Sequence, residues 1–148
     1  MNDRAELPVE TVMQTEFASV ASGERLDLVD DVMSLGRVRH LPVVDEGRLV
    51  GVVSQRDLLA SGLSRALDFD RTQRRTFMRS IEVSEVMARK PVTVSPATPL
   101  REAARLMVNH KIGCLPVVDE SGRPIGLVTE TDLLRGVYDV PPPRGAAS

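Results

Sequence analysis

One cysteine, no tryptophan, a single tyrosine and three phenylalanines leave this 148-residue chain poor in the groups that build disulfide cores and stacking surfaces. The lone Cys114 excludes an internal disulfide framework and a cysteine-based zinc site, and it suits a reducing compartment. With aromatic residues at 3%, platforms for stacking a single nucleic-acid strand are scarce. Charge of one sign is not in excess either. The net charge of −2 argues against bulk attraction to nucleic acid or an anionic membrane. No apolar run is long enough to span a bilayer, and the leading MNDRAELPVETVM has no charged-then-apolar secretory pattern. A soluble, cytoplasmic protein with no membrane partner is therefore expected, with nucleic acid an improbable one. Catalysis is not expected: His40 and His110 have no carboxylate at metal-ligand spacing, and neither a Gly-x-Ser-x-Gly turn nor a phosphate-binding loop is present. No metal site and no catalytic cofactor follow from this pattern.

What the chain does have is itself, twice. VRHLPVVDEGRLVGVVSQRDLL (38–59) returns as IGCLPVVDESGRPIGLVTETDLL (112–134). Met13 aligns with Met87 and Pro42 with Pro116; after the single extra Ser121, in a turn, Asp57 aligns with Asp132. At 42% hydrophobic residues the whole chain can bury a core, whereas one repeat of roughly fifty residues is marginal by surface-to-volume scaling. The halves are expected to fold together.

Each repeat reads β-α-β-β-α. In the second, residues 91–94 form a short β-rich run that SPATP (95–99) breaks. Leu100, Ala103, Ala104, Met107 and Val108 then mark one helix face, with Thr98 as the N-cap and Pro99 in the first helical position. Gly113 is expected at or beyond the helix end. Residues 115–118 and 125–128 are strands, and a last helix opens at Thr129. The first repeat has the same order, with strands at 17–20, 41–44 and 49–53 and helices at about 26–35 and from Ser54. The divisions are 12–60 and 82–137 for the repeats, a partly helical connector at 61–81, and a tail at 138–148 expected to be disordered. In the connector, Arg71, Arg74, Arg75 and Arg79 share a helix face.

The chemistry concentrates at one place in each copy. In GVVSQRD (51–57) and GLVTETD (126–132) a hydroxyl and a carboxylate lie three apart at a strand-to-helix junction. An acid so placed can accept hydrogen bonds from a ribose diol. The same spacing fits a capping box, in which Ser54 or Thr129 satisfies a helix N–H and Asp57 or Asp132 reaches back. The two roles are compatible, because a carboxylate has lone pairs to spare. Gly51 and Gly126 allow a ligand or another backbone to come close.

These doubled features, L-P-V-V-D followed by a turn and G-h-h-S/T-x-x-D (h, hydrophobic), resemble a tandem pair of CBS domains, the cystathionine-β-synthase-type regulatory module, over roughly residues 12–135. The resemblance implies an α+β fold of two repeats packed sheet to sheet with pseudo-two-fold symmetry and two clefts. It implies an adenosine-containing ligand such as AMP, ADP, ATP or S-adenosylmethionine, a homodimer, and an effector protein that receives the signal. It makes Arg39 and His40 candidates for phosphate, where the second copy has only Gly113 and Cys114, so the two clefts are expected to differ. Arg56, Arg74 or Arg75 could complete an anion site. Val38, Ile112, Pro42 and Pro116, with Ala18 and Val92, are candidate walls for the base or ordinary core. The alternative is a ligand-free scaffold for dimerisation or protein interaction.

Overall fold

The computed structural model describes residues 3–61 and 69–142; part of the connector and most of the tail expected to be disordered lie outside the described residues. In chain order, two 3-10 turns (Asp3–Glu6 and Val9–Thr11) precede α1 (Leu26–Gly36), β1 (His40–Asp45), β2 (Arg48–Ser54), α2 (Gln55–Ala60), α3 (Arg71–Arg79), α4 (Val83–Val86), β3 (Ala88–Arg89), α5 (Leu100–His110), β4 (Cys114–Val118), β5 (Pro124–Thr129) and α6 (Glu130–Tyr138). No helix among the described residues is long and apolar enough to cross a membrane.

The chain forms two compact units that cut across the sequence repeats. One comprises residues 17–91; the other joins residues 1–16 to residues 92–148. The stretch leading into each repeat thus belongs to the unit built on the other. In the first unit β1 and β2 form an antiparallel hairpin and β3, from the start of the second repeat, extends it through Gly51↔Arg89 and Val52↔Ala88. In the second unit β4 and β5 form the matching hairpin, and Gln14 from the start of the chain takes the place of β3. Gln14 N–H donates to the Leu127 carbonyl at 2.8 Å, and Leu127 N–H donates back at 2.9 Å.

Glycine makes the exchange fit. A β-carbon on Gly51 would lie 2.7 Å from Met87 Sδ and 2.9 Å from the Ala88 carbonyl oxygen; on Gly126 it would lie 2.7 Å from Met13 Sδ. The close approach anticipated at these glycines is therefore made by the exchanged backbone and its methionine.

The cores match position by position. Leu26, Val29, Met33, Leu41, Val43, Val53 and Leu58 are buried in one unit, as are Leu100, Ala103, Met107, Leu115, Val117, Val128 and Leu133 in the other. Val83 of α4 and Val9 of the second 3-10 turn, both fully buried, complete the pattern from the exchanged stretches. Each such side chain removed from water contributes about 1.5–3 kcal/mol.

Two local expectations are corrected and a third is made definite. Thr98 does not cap α5: its hydroxyl accepts from Ser95 N–H at 3.1 Å, and the helix begins after Pro99. The free amide that a cap would serve is taken by backbone, since Leu100 N–H donates to the Leu7 carbonyl and, equivalently, Leu26 N–H to that of Ile81. Gly113 lies just beyond the end of α5, as expected; Lys111 is the C-cap, in the left-handed region at φ 54°. Finally, the strands expected at 17–20 and 91–94 shrink to single parallel bridges, Val20↔Val43 and Val94↔Val117. Val94 N–H donates to the Pro116 carbonyl, but the next rung would need an N–H from Pro116 itself, and proline has none. Pro42 stops the other ladder in the same way, after Val20 N–H donates to its carbonyl.

Candidate functional site

Both hydroxyl–carboxylate pairs lie where a strand turns into a helix, and both form complete capping boxes. Asp57 Oδ2 accepts from Ser54 N–H at 2.7 Å, and Asp57 N–H donates to Ser54 Oγ at 3.2 Å. Asp132 Oδ2 accepts from Thr129 N–H at 2.9 Å, and Asp132 N–H donates to Thr129 Oγ1 at 3.3 Å. Local hydrogen bonding thus orients each acid firmly.

Beyond the box the two junctions part. Asp132 is 2% exposed, and its Oδ2 accepts two further hydrogen bonds, from Thr129 Oγ1 at 2.9 Å and Gln14 Nε2 at 3.1 Å. Its Oδ1 faces Arg135 Nη1 at 3.6 Å. Asp57 is only half-buried, and among the described residues its Oδ1 has no partner. Ala88 and Ala60 stand where the second unit has Gln14 and Arg135.

The neighbours brought to each junction follow from register. His40 pairs with Ser54 across the hairpin, and Gln55 N–H donates to the Arg39 carbonyl at 2.8 Å, so Arg39 and His40 border the Ser54–Asp57 junction. Arg39 is exposed and His40 half-buried. Cys114 pairs with Thr129, and Glu130 N–H donates to the Gly113 carbonyl, so the other junction has no cation from this strand. Burial, helped by the charge of Asp132, pushes the Cys114 thiol up to about 12, which leaves it an uncharged, hydrophobic side chain.

The candidate walls differ in kind. Pro42 and Pro116 are buried within their sheets, Val38 and Ala18 are exposed, and Ile112 and Val92 are half-buried against the second core. Of the connector arginines, Arg75 is engaged within its own unit: it donates to both carboxylate oxygens of Asp31 on α1, at 3.0 and 3.2 Å, and Arg79 pairs with Asp27 at 3.3 Å. Arg75 is therefore paired with α1, while Arg56 and Arg74, the other two candidates, are exposed. The acidic α1 face, with Asp27 and Asp31 one turn apart, was the signal for this pairing.

Among the described residues, each unit has a hollow. One of about 420 Å³ is bordered by Arg4, Met13, Asp132, Arg135 and Asp139; the other, of about 470 Å³, by Ser22, Asp45, Met87, Arg89 and Lys90. Asp45 lies below its ordinary value because the Ser22 hydroxyl and N–H both donate to it. Among the described residues no cluster of three or more His, Cys, Asp or Glu could hold a metal ion.

The CBS domain profile matches residues 9–63 and 83–139. A CBS domain-containing protein of Dictyostelium discoideum is 35% identical over 127 residues, 85% of this chain and 88% of its own length. Two further relatives, from Methanocaldococcus jannaschii, are 38% and 32% identical, but the chain spans only 41% and 24% of their lengths. Among solved structures, CBSX2 of Arabidopsis thaliana in complex with AMP superimposes with a TM-score of 0.74 at 30% identity, covering 90% of this chain and 97% of that one. The CBS domain pair of protein MJ0100, in complex with 5′-methylthioadenosine and S-adenosyl-L-methionine, gives 0.72 at 26% identity, covering 86% and 93%. With the profile matched twice, in phase with the internal duplication and with both capping-box junctions, the chain belongs to the CBS domain family.

Proposed function

We propose that this chain is a non-enzymatic regulatory sensor that binds an adenosine-containing ligand, with its Ser54–Asp57 junction holding the ribose and Arg39 and His40 attracting phosphate. The observation that carries the reading is Asp57: its box consumes one carboxylate oxygen, and the other has no partner among the described residues. A carboxylate oriented in this way can accept from a sugar hydroxyl without rearranging. Arg39, beside it, supplies the positive charge that a monophosphate or longer phosphate chain requires, and His40 a ring N–H that can donate to it. Support also comes from the two similar structures named with AMP and with 5′-methylthioadenosine and S-adenosyl-L-methionine.

Sensing requires that the ligand prefer one arrangement of the protein over another. A preference of about 100-fold is worth about 2.7 kcal/mol, in the range of ordinary allosteric coupling. The output passes to an effector protein or to a homodimer of this chain. Calorimetry and thermal shift with AMP, ADP, ATP and S-adenosylmethionine test the proposal. Stabilisation by at least one of them, lost in Asp57→Ala and weakened for phosphorylated ligands in Arg39→Ala, is expected. No response to any of the four at millimolar concentration refutes it.

A second reading, a ligand-free scaffold for dimerisation or protein interaction, is favoured by exposed apolar side chains: Leu35 is 87% exposed, Val108 75% and Tyr138 69%. Self-association in sedimentation velocity that no nucleotide alters would select it.

A further inference from the structure

The internal duplication supplies a control experiment that the chain has already performed on itself. The same acid occurs twice in the same capping box, and its surroundings differ at two aligned positions. In the unit with Asp132, Gln14 lies on the strand edge beside Leu127 and donates to Oδ2 at 3.1 Å, while Arg135, one turn along α6, faces Oδ1 at 3.6 Å. In the unit with Asp57 the aligned residues are Ala88, beside Val52, and Ala60, at the end of α2. Alanine offers neither a donor nor a charge.

From this difference we infer that the Thr129–Asp132 junction is a closed structural network and that the chain takes one adenosine-class ligand, at Ser54–Asp57. The inference deepens the proposed function and rests on it.

Counting hydrogen-bond capacity supports it. Asp132 Oδ2 already accepts from Thr129 N–H, Thr129 Oγ1 and Gln14 Nε2, which fills that oxygen. Oδ1 accepts no hydrogen bond among the described residues but lies 3.6 Å from Arg135 Nη1, so a ribose hydroxyl would have to share it with the Arg135 guanidinium or displace Gln14 from Oδ2. Asp132 borders a hollow, yet it is only 2% exposed, so the residues around it, not empty space, cover the carboxylate. Buried, it depends on those donors to satisfy its oxygens. The neighbouring residues repeat the asymmetry: Gly113 and Cys114, whose thiol is buried, stand where Arg39 and His40 border the other acid.

Calorimetric titration of the full chain with AMP, beside melting curves of the ligand-free variants, tests this. One site per chain is expected. Asp57→Asn should weaken AMP about 10- to 100-fold, the change for a lost charged hydrogen bond, and leave the ligand-free melting temperature near that of the wild type. Asp132→Asn and Gln14→Ala should do the reverse, lowering the melting temperature while AMP affinity stays within about threefold, below the loss expected of a charged contact. Two equivalent sites per chain in the wild type would overturn the inference while leaving the sensor intact. So would Asp132→Asn that melts like the wild type, or loss of AMP binding on Gln14→Ala in a folded protein. Absence of heat with AMP and with the other adenosine compounds would instead remove the sensor reading, and this inference with it.

Discussion

Adding one methyl group at Gly51 and, separately, at Gly126 should destabilise the protein unequally, although the two glycines are aligned by the duplication. An alanine β-carbon at Gly51 would lie 2.7 Å from Met87 Sδ and 2.9 Å from the Ala88 carbonyl oxygen, where contacts of about 3.5–4.0 Å are comfortable. Met87 can turn aside, but Ala88 is held in the ladder with Val52, so β3 must shift as backbone. At Gly126 the nearest atoms are Met13 Sδ at 2.7 Å and Cγ at 3.1 Å, and the backbone atom, the Gln14 carbonyl oxygen, stands farther off at 3.2 Å. A side-chain rotation relieves most of that overlap. Overpacking of this kind costs about 1–3 kcal/mol, and each ladder hydrogen bond lost adds about 1 kcal/mol. Gly51→Ala should thus fall near 3 kcal/mol and Gly126→Ala near 1 kcal/mol, or about 6–12 °C against about 2–4 °C in melting temperature. Thermal melting followed by circular dichroism reads both. Adding Met13→Ala to Gly126→Ala should recover part of the loss relative to the two single variants combined, and Met87→Ala should recover little for Gly51→Ala. If Gly126→Ala proves the more damaging, or if either alanine raises the melting temperature as it would at an open strand site, the exchanged-strand packing described here is wrong.

Further outcomes follow from other features. Lys111 sits in the left-handed region at φ 54° in the place that favours glycine, so Lys111→Gly should raise the melting temperature by the equivalent of about 0.5–1 kcal/mol; a fall would show that its side chain matters there. Cys114, buried and pushed up to about 12, should resist a thiol reagent at pH 8 in the native protein and react at once in denaturant; fast native labelling would contradict its burial. Because Ser22 holds the Asp45 carboxyl below its ordinary 3.8, that contribution is complete above 3.8 and disappears as pH falls through the lowered value. Ser22→Ala should therefore be less stable than the wild type at neutral pH, with the gap closing in acid; a pH-independent gap in urea titrations would assign the loss to packing alone. Thr129→Ala removes a cap and should cost about 1 kcal/mol, a shift that chemical denaturation resolves.

How much of this could be read from residue order varies by element. The helix faces carrying Leu100, Ala103 and Met107, the hairpins, and both capping boxes follow from local periodicity and short-range spacing and stand where expected, but Val108, expected on the same face of α5, is 75% exposed. The shortened strands were half-legible, because Pro42 and Pro116 were visible but which of their edges would be denied an N–H depends on the partner. The exchange of leading stretches was not legible. Met13 and Met87 advertise an alignment, and Gly51 and Gly126 advertise close approach, but a repeat pattern is blind to which copy provides which partner. The same blindness hid the difference between the two acids. Gln14 and Arg135 lie far from each other in sequence, and only the fold sets both on one carboxylate.

The exchanged stretches bear on how such a molecule can arise and be dissected. A single copy of this repeat would carry a leading segment with no edge of its own to occupy and a glycine-floored groove with nothing to fill it, so its simplest remedy is a second molecule in the same predicament. The tandem chain reads as that reciprocal pairing made covalent. Cutting it between the copies should yield fragments that are more stable mixed than alone.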